Sequence, residues 1–147
     1  MAKNVATILG VLFLITGILG FISPTMMGMH LTPTHNIVHL VSGLLALYFG
    51  LKGTNVKQAR TFLMVFGAIY GLLGIVGFIT GAGTPNVPPM IMDQHVLRVI
   101  PNHLELGTAD SAMHLLLGFI ALIAGVAQRT EVEGIPGTSA KRAKTAV

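Results

Sequence analysis

Two motifs in this sequence place metal-binding side chains one helical turn apart, each near the start of an apolar run. One is His-x-x-x-His, with His35 and His39, and the other is Asp-x-x-x-His, with Asp110 and His114. Residues four apart lie on one face of an α-helix. Imidazole nitrogens and carboxylate oxygens bind zinc and other transition metals. The motifs therefore predict a metal site if the two helices meet.

Two other roles fit the same histidines. An ionisable side chain in apolar surroundings is costly to bury and needs a polar partner. Each histidine can donate a hydrogen bond to a backbone carbonyl or to Asp110, and so tie helix ends together without a metal. His39 and His114 are also candidate ligands of a haem or another pigment. The spacing favours the structural role, because polar pairs four residues apart are common at helix starts.

The apolar runs behind these motifs are long enough to cross a membrane. Charged residues make up only 10% of the 147 residues, against about 25% in a typical soluble domain. A membrane-spanning helix needs about 20 mainly apolar residues, and lipid offers no partners to backbone groups, which favours helices over strands. The sequence predicts an all-α integral membrane four-helix bundle in one domain, residues 1–127, with helices at about 5–22, 35–51, 61–80 and 109–127.

Basic residues indicate how the chain crosses the membrane. Eight of the nine Lys and Arg residues precede the first helix, join the second to the third or follow the fourth, and Arg98 alone lies on the other side. The positive-inside rule places both termini in the cytoplasm of a bacterial inner membrane. The first helix is expected to be retained, because no signal-peptide cleavage site follows it. Residues 128–147 are predicted to be a disordered, basic cytoplasmic tail.

The chain repeats its own pattern. Glycines at 10, 17 and 20 recur 57 residues later, and the residues around His39 recur 75 residues later around His114. Each unit holds two helices, so the pattern predicts two parallel two-helix repeats related by an axis along the membrane normal. Chance similarity between apolar segments is the alternative.

Each predicted helix also carries two glycines seven residues apart, which lie on one stripe of the helix. Small residues let helices in lipid approach closely, so the stripes predict helix-packing positions. The positions are Gly10, Gly17, Gly43, Gly50, Gly67, Gly74, Gly118 and Gly125. His39 and His114 lie on the same stripes, which turns them towards other helices and away from lipid.

Methionine is concentrated in the two predicted outer loops, as "MMGMH" at 26–30 and "MIMDQH" at 90–95. Thioether and imidazole groups together suit Cu(I). Methionines in short apolar loops more often dock at the lipid interface, and we expect that role here. The stretch 88–101, "PPMIMDQHVLRVIP", is predicted to form a short helix along the membrane surface, with prolines at its ends.

Several classes of function are excluded or disfavoured. The chain has no cysteine, which excludes disulfides, thiolate metal sites and cysteine nucleophiles. It contains no nucleophile-elbow, phosphate-loop or His-Glu-x-x-His motif. It also has no acidic residue in the predicted membrane centre, which argues against a proton or sodium carrier. The net charge of +4 reflects membrane topology, so no nucleic-acid partner is expected.

The segments "LTPTHNIVHLVSGLLAL", "LGTADSAMHLLLGFIAL" and "LGVLFLITGILGFI" resemble a family of small bacterial four-span membrane proteins, the domain-of-unknown-function family 4383. The resemblance covers about residues 5–127. The second motif has Ser111 where that family often has asparagine. The resemblance implies fold and location, and no activity.

The sequence therefore predicts a small multi-pass membrane protein that is not an enzyme. Its expected role is that of an accessory or structural subunit of a larger membrane complex, or of a homo-oligomer. The expected partners are the lipid bilayer and other membrane subunits or copies of itself. The alternative is a protein that binds zinc, copper, haem or a pigment on its outer face through the paired histidines. A small membrane enzyme or carrier that acts through the same histidines is the weakest hypothesis.

Overall fold

The computed structural model describes residues 1–52 and 55–127, and its main elements there are four long helices. They are α1 (Ala2–Ile22), α2 (Pro33–Leu47), α3 (Val56–Thr80) and α4 (Thr108–Ala127). A short π-helix, Tyr48–Lys52, continues α2. With that extension, all four helices are long and apolar enough to cross a membrane. This confirms the predicted all-α four-helix membrane bundle; the predicted tail lies outside the described residues.

Helix starts differ from the predicted ones where basic residues occur. The predicted spans begin at 5 and 61, just beyond the nearest charge, whereas α1 begins at Ala2 and α3 at Val56. Long basic side chains near a helix end can reach the polar interface while the backbone stays helical. The additional turns include Lys3, Lys57 and Arg60.

Polar caps fix the starts of three helices. The Thr32 hydroxyl accepts a hydrogen bond from the His35 amide, and Pro33 occupies the first turn of α2, which is a favourable helix start. Asn55 caps α3 in the same way through the amide of Gln58. At α4 the cap comes from a distant loop.

The carboxylate of Asp93 provides that cap for α4, since it accepts hydrogen bonds from the amide and the hydroxyl of Thr108. Burial alone would raise the pKa of Asp93. The hydrogen bonds from Thr108 and from the backbone of His95 and Gln94 outweigh burial, and they hold the pKa below its ordinary value. The charged carboxylate therefore favours the start of α4 at ordinary pH.

The helices pack as two antiparallel pairs, α1 with α2 and α3 with α4. Glycine sets the separation in both pairs. A Cβ on Gly10 would lie 2.8 Å from the Leu47 amide nitrogen, and one on Gly67 would lie 2.7 Å from that of Leu122. Each of the eight glycines on the predicted stripes faces the other helix of its own pair in this manner.

The core between the two pairs is small and partly aromatic. It contains buried alanine and leucine side chains and three aromatic rings in contact: Ala2, Ala6, Leu9, Phe13, Ala59, Leu63, Phe66, Tyr70, Ala121 and Ala124. The outward faces of the helices carry large exposed apolar side chains, such as Ile8, Ile15, Val41, Leu44, Val65, Leu72, Leu116 and Phe119. An apolar surface of this extent fits a lipid bilayer.

The connection between α3 and α4 contains a β-hairpin instead of the predicted surface helix, so that prediction is wrong. Strands β1 (Leu97–Ile100) and β2 (Leu104–Leu106) pair antiparallel. Arg98 explains the extended conformation, because its guanidinium donates to the carbonyls of Ala82 (3.0 Å) and Thr84 (2.7 Å). It also lies 3.7 Å from the buried carboxylate of Glu105. These contacts hold the segment against the residues that follow α3.

Candidate functional site

Three buried histidines meet between α2 and α4, just below the hairpin. The ring centres of His35 and His39 lie 4.4 Å apart, and the ring of His114 lies 5.7 Å and 6.3 Å from them. The residues are only 1%, 4% and 7% exposed. One ring nitrogen of each lies within 4.8 Å of those of the other two. We call these three residues the histidine cluster.

Hydrogen bonds fix the orientation of two of the rings. Nδ1 of His35 lies 3.0 Å from the His30 carbonyl, and Nδ1 of His114 lies 2.7 Å from the Asp110 carbonyl. A carbonyl oxygen only accepts, so each Nδ1 carries hydrogen and donates it. Nε2 then carries the lone pair. Metal-binding histidines are oriented by this kind of hydrogen bond.

Two ring nitrogens of the cluster have no hydrogen-bond partner within the described residues. They are Nε2 of His35 and Nδ1 of His39, and both are buried. A buried polar atom without a partner costs about 1–3 kcal/mol, and such atoms are rare in native proteins. The two atoms belong to neighbouring rings, so one shared ligand can satisfy both.

Asp110 lies beside the histidine cluster, and its carboxylate is not part of the group of possible metal ligands. Its Oδ2 accepts hydrogen bonds from the backbone amides of His30 and Gly107, both at 2.8 Å. Its Oδ1 lies 3.8 Å from Nδ1 of His35, on the side of the ring away from the Nε2 lone pair. The sequence predicted that Asp110 binds a metal together with His35, His39 and His114. In the structure Asp110 instead contacts His35 and accepts a hydrogen bond at the start of α4.

Aromatic rings enclose the cluster from α1 and α3. The Phe13 ring meets His39 edge-on at 5.1 Å, and the Tyr70 ring stacks on His114 at 4.9 Å. The Tyr70 hydroxyl is hydrogen-bonded to Ser42 at 2.9 Å. Sequence reasoning missed both aromatic residues. The signal was present, because residues 13 and 70 are separated by the same 57 positions as the repeated glycines.

A fourth buried histidine, His30, holds loops together above the cluster. Its two ring nitrogens lie 3.1 Å from the Glu105 carbonyl and 2.9 Å from the Val87 carbonyl. With both nitrogens facing carbonyl oxygens, His30 offers no free lone pair to a metal. It therefore does not contribute the imidazole that "MMGMH" suggested. His95 and His103 are exposed.

Two cavities reach the histidine cluster from different sides. The smaller, of about 70 Å³, is lined by His39, His114, aromatic and apolar residues, and the methionines Met26, Met27, Met29 and Met113. The larger, of about 380 Å³, is lined by His35, His114 and mainly apolar side chains of α2, α3 and the hairpin.

The fold and this site define a class: a four-span membrane protein with buried histidines beneath a small hairpin. The model of one family, domain of unknown function 4383 (DUF4383), matches residues 3–127. The chain belongs to that family, which confirms the resemblance noted in its motifs. No match was found among curated proteins or among solved structures.

Proposed function

We propose that this protein binds a transition-metal ion in the membrane through His35, His39 and His114. The observation that carries the proposal is the pair of buried ring nitrogens without partners, on His35 and His39. Nε2 of His114 also carries a lone pair, by the hydrogen-bond argument above. Three imidazoles from two helices are a common ligand set for zinc and copper. A bound ion would give these buried nitrogens the partner that the described residues do not provide.

Metal binding requires the rings to close slightly. Three nitrogens bound to one tetrahedral ion at about 2.0–2.1 Å lie about 3.4 Å from one another, while those of the cluster lie within 4.8 Å. His39 is the ring that can turn, because its Nδ1 has no hydrogen bond. His35 and His114 are held at Nδ1, so they form the fixed side of the site.

The same geometry disfavours a haem or a pigment between His39 and His114. The His35 ring lies 4.4 Å and 5.7 Å from those rings and occupies the space beside them. Phe13 and Tyr70 cover their other faces. A macrocycle would need these side chains to separate, whereas a single ion fits between rings that already meet.

The test is metal content and absorbance of the full-length protein, purified in mild detergent and dialysed against zinc or copper. We expect one ion per chain, a colourless protein after zinc loading, and loss of the ion in the variant His39→Ala/His114→Ala. His95→Ala is the matched control, because His95 is exposed and outside the cluster, and it should retain the ion. If the wild type retains no more metal than the double variant, the proposal is wrong.

The predicted role as an accessory subunit or homo-oligomer is a second, weaker proposal. Its basis in the sequence is the glycine stripes, but all eight glycines face the other helix of their own pair. They therefore do not specify a surface for a partner. Native mass spectrometry from gentle detergent would test this role, and a lone monomer would contradict it. A metal site and a subunit role are compatible.

We also propose a bacterial inner-membrane location with both termini in the cytoplasm, on the strength of the basic residues. Lys3, Lys52, Lys57 and Arg60 lie at the end of the bundle opposite the hairpin. The positive-inside rule assigns that end to the cytoplasm. The histidine cluster would then lie near the periplasmic surface.

A further inference from the structure

We infer that the ion is Cu(I) and that it reaches the histidine cluster through a cavity lined by methionines. This inference rests on the metal site proposed above and goes further by naming the ion and its route. The cavity of about 70 Å³ is bordered by His39 and His114 and by four methionines, Met26, Met27, Met29 and Met113. We call it the methionine cavity.

The size of the methionine cavity suits an ion. A cavity needs about 10–15 Å³ of this kind of volume to hold one water molecule, so the methionine cavity, with about 70 Å³, has room for an ion with small ligands. The larger cavity on the His35 side is mainly apolar and offers an ion few ligands.

The donors around the cavity favour a soft ion. Thioether sulfur is a soft, uncharged ligand that selects Cu(I), while hard cations prefer oxygen. The methionines differ in burial: Met27 is 72% exposed, Met26 and Met113 are partly buried, and Met29 is 5% exposed. The four methionines thus range from exposed to buried, and all of them line the cavity that His39 and His114 also line.

The charges around the site favour a monovalent ion. Imidazole and thioether ligands carry no charge, and the cost of placing an ion in apolar surroundings rises with the square of its charge in the Born treatment. Asp110 is the one acidic side chain within the four described helices. It supplies at most one negative charge near the site, which favours a monovalent ion over a divalent one.

Docking at the lipid interface can explain the exposed methionines but not the buried one. Met90 and Met92 are exposed on the loop before the hairpin and line neither of the two cavities that reach the histidine cluster. Met29 is buried beside the cavity, where it cannot contact lipid. The exposed loop methionines therefore serve as matched controls for those of the cavity.

The test compares Cu(I) and Zn²⁺ binding by the full-length protein in lipid nanodiscs. Cu(I) is titrated against a chromophoric Cu(I) chelator under reducing conditions, and Zn²⁺ against a zinc chelator. The variant Met26→Leu/Met29→Leu/Met113→Leu keeps the apolar volume but removes the thioethers. The control is Met90→Leu/Met92→Leu, and circular dichroism and thermal unfolding check the fold of each variant.

We expect the cavity variant to bind Cu(I) about tenfold more weakly, with Zn²⁺ affinity unchanged, and the control to match the wild type for both ions. X-ray absorption of the copper-loaded wild type should show sulfur among the copper ligands. If Cu(I) affinity is the same in the cavity variant and the wild type, the inference is wrong while the histidine site stands. If the wild type binds neither ion, the proposed function fails as well.

Discussion

The residues of the histidine cluster differ in how firmly they are held. His35 and His114 each donate from Nδ1 to a carbonyl, and Tyr70 stacks on the latter. His39 contacts Phe13 and His35 but has no hydrogen bond at Nδ1. Because no hydrogen bond holds Nδ1 of His39, turning that one ring would bring its nitrogen closer to those of His35 and His114. The predicted structural role, a hydrogen bond to a backbone carbonyl, therefore explains Nδ1 of His35 and of His114. It does not explain Nε2 of either ring.

Asp110 offers a test of the structure around the cluster. Replacing it with alanine removes the acceptor for the amides of His30 and Gly107. A buried donor without a partner costs about 1–3 kcal/mol, so Asp110→Ala should lower the unfolding free energy by about 2–5 kcal/mol. Chemical denaturation in detergent, followed by circular dichroism, measures the loss.

The matched control for Asp110 is the next residue along α4. Ser111 is equally buried, but its hydroxyl has no partner within the described residues. Removing an unsatisfied hydroxyl costs little, so Ser111→Ala should change the unfolding free energy by less than about 1 kcal/mol. Equal losses in the two alanine variants would contradict the hydrogen bonds assigned to Asp110.

At the scale of helices, the contacts of one pair recur in the other at the offsets noted in the sequence. Gly17 faces the Asn36 carbonyl, and Gly74 faces the Ser111 carbonyl. Phe13 contacts His39 edge-on, and at the equivalent positions Tyr70 stacks on His114. These equivalent contacts support the predicted duplication. Its axis along the membrane normal stays a prediction.

Close packing of α3 on α4 gives a prediction with an internal control. A Cβ on Gly74 would lie 2.6 Å from the Leu115 amide nitrogen, whereas one on Gly71 would meet nothing within 4 Å. Gly74→Ala must push the helices apart and should destabilise the protein by about 1–3 kcal/mol. Gly71→Ala should be neutral or stabilising by up to about 1 kcal/mol, because alanine favours a helix over glycine.

Thermal unfolding of the two glycine variants in the same detergent measures their stability relative to the wild type. The ranking should be Gly71→Ala at or above the wild type, and Gly74→Ala clearly below it. The reverse order, or two equal losses, would mean that α3 and α4 do not approach each other as described.

Features that depend on residues close together in the sequence could be predicted, and features that depend on residues far apart could not. The membrane-spanning helices, the glycine stripes and the helix faces that carry His39 and His114 all follow from local periodicity. That periodicity predicted the helices and the meeting of His39 with His114. The β-hairpin depends on Arg98 reaching Ala82 and Thr84, and on Glu105 accepting from the amide of Asn86. Contacts between residues so far apart leave no periodic signal. The position of Asp110 behind His35 was likewise invisible, because it depends on the fold of the loop at His30.

At the scale of the whole molecule, the hairpin end of the bundle covers the histidine cluster. Thr32 at the start of α2 donates to the carbonyl of His103 in the hairpin turn at 2.7 Å. Leu104 and Leu106 of β2 line the larger cavity beside His35. The hairpin and the loop before α2 thus lie over the buried imidazoles on one side. The length of the helices separates the imidazoles from the opposite end of the bundle. The orientation of the bundle therefore decides which compartment would supply the proposed metal ion.

The absence of cysteine makes that orientation directly measurable. Lys57 and Gln94 are exposed at opposite ends of the bundle, and each can be replaced by a single cysteine. If the positive-inside rule holds, Gln94→Cys should react with a membrane-impermeant maleimide in intact bacterial cells, and Lys57→Cys only after lysis. The wild type provides the background, since it has no thiol to label. Labelling of Lys57→Cys in intact cells would reverse the proposed topology and place the histidine cluster and the methionine cavity on the cytoplasmic side, where they would receive copper from inside the cell.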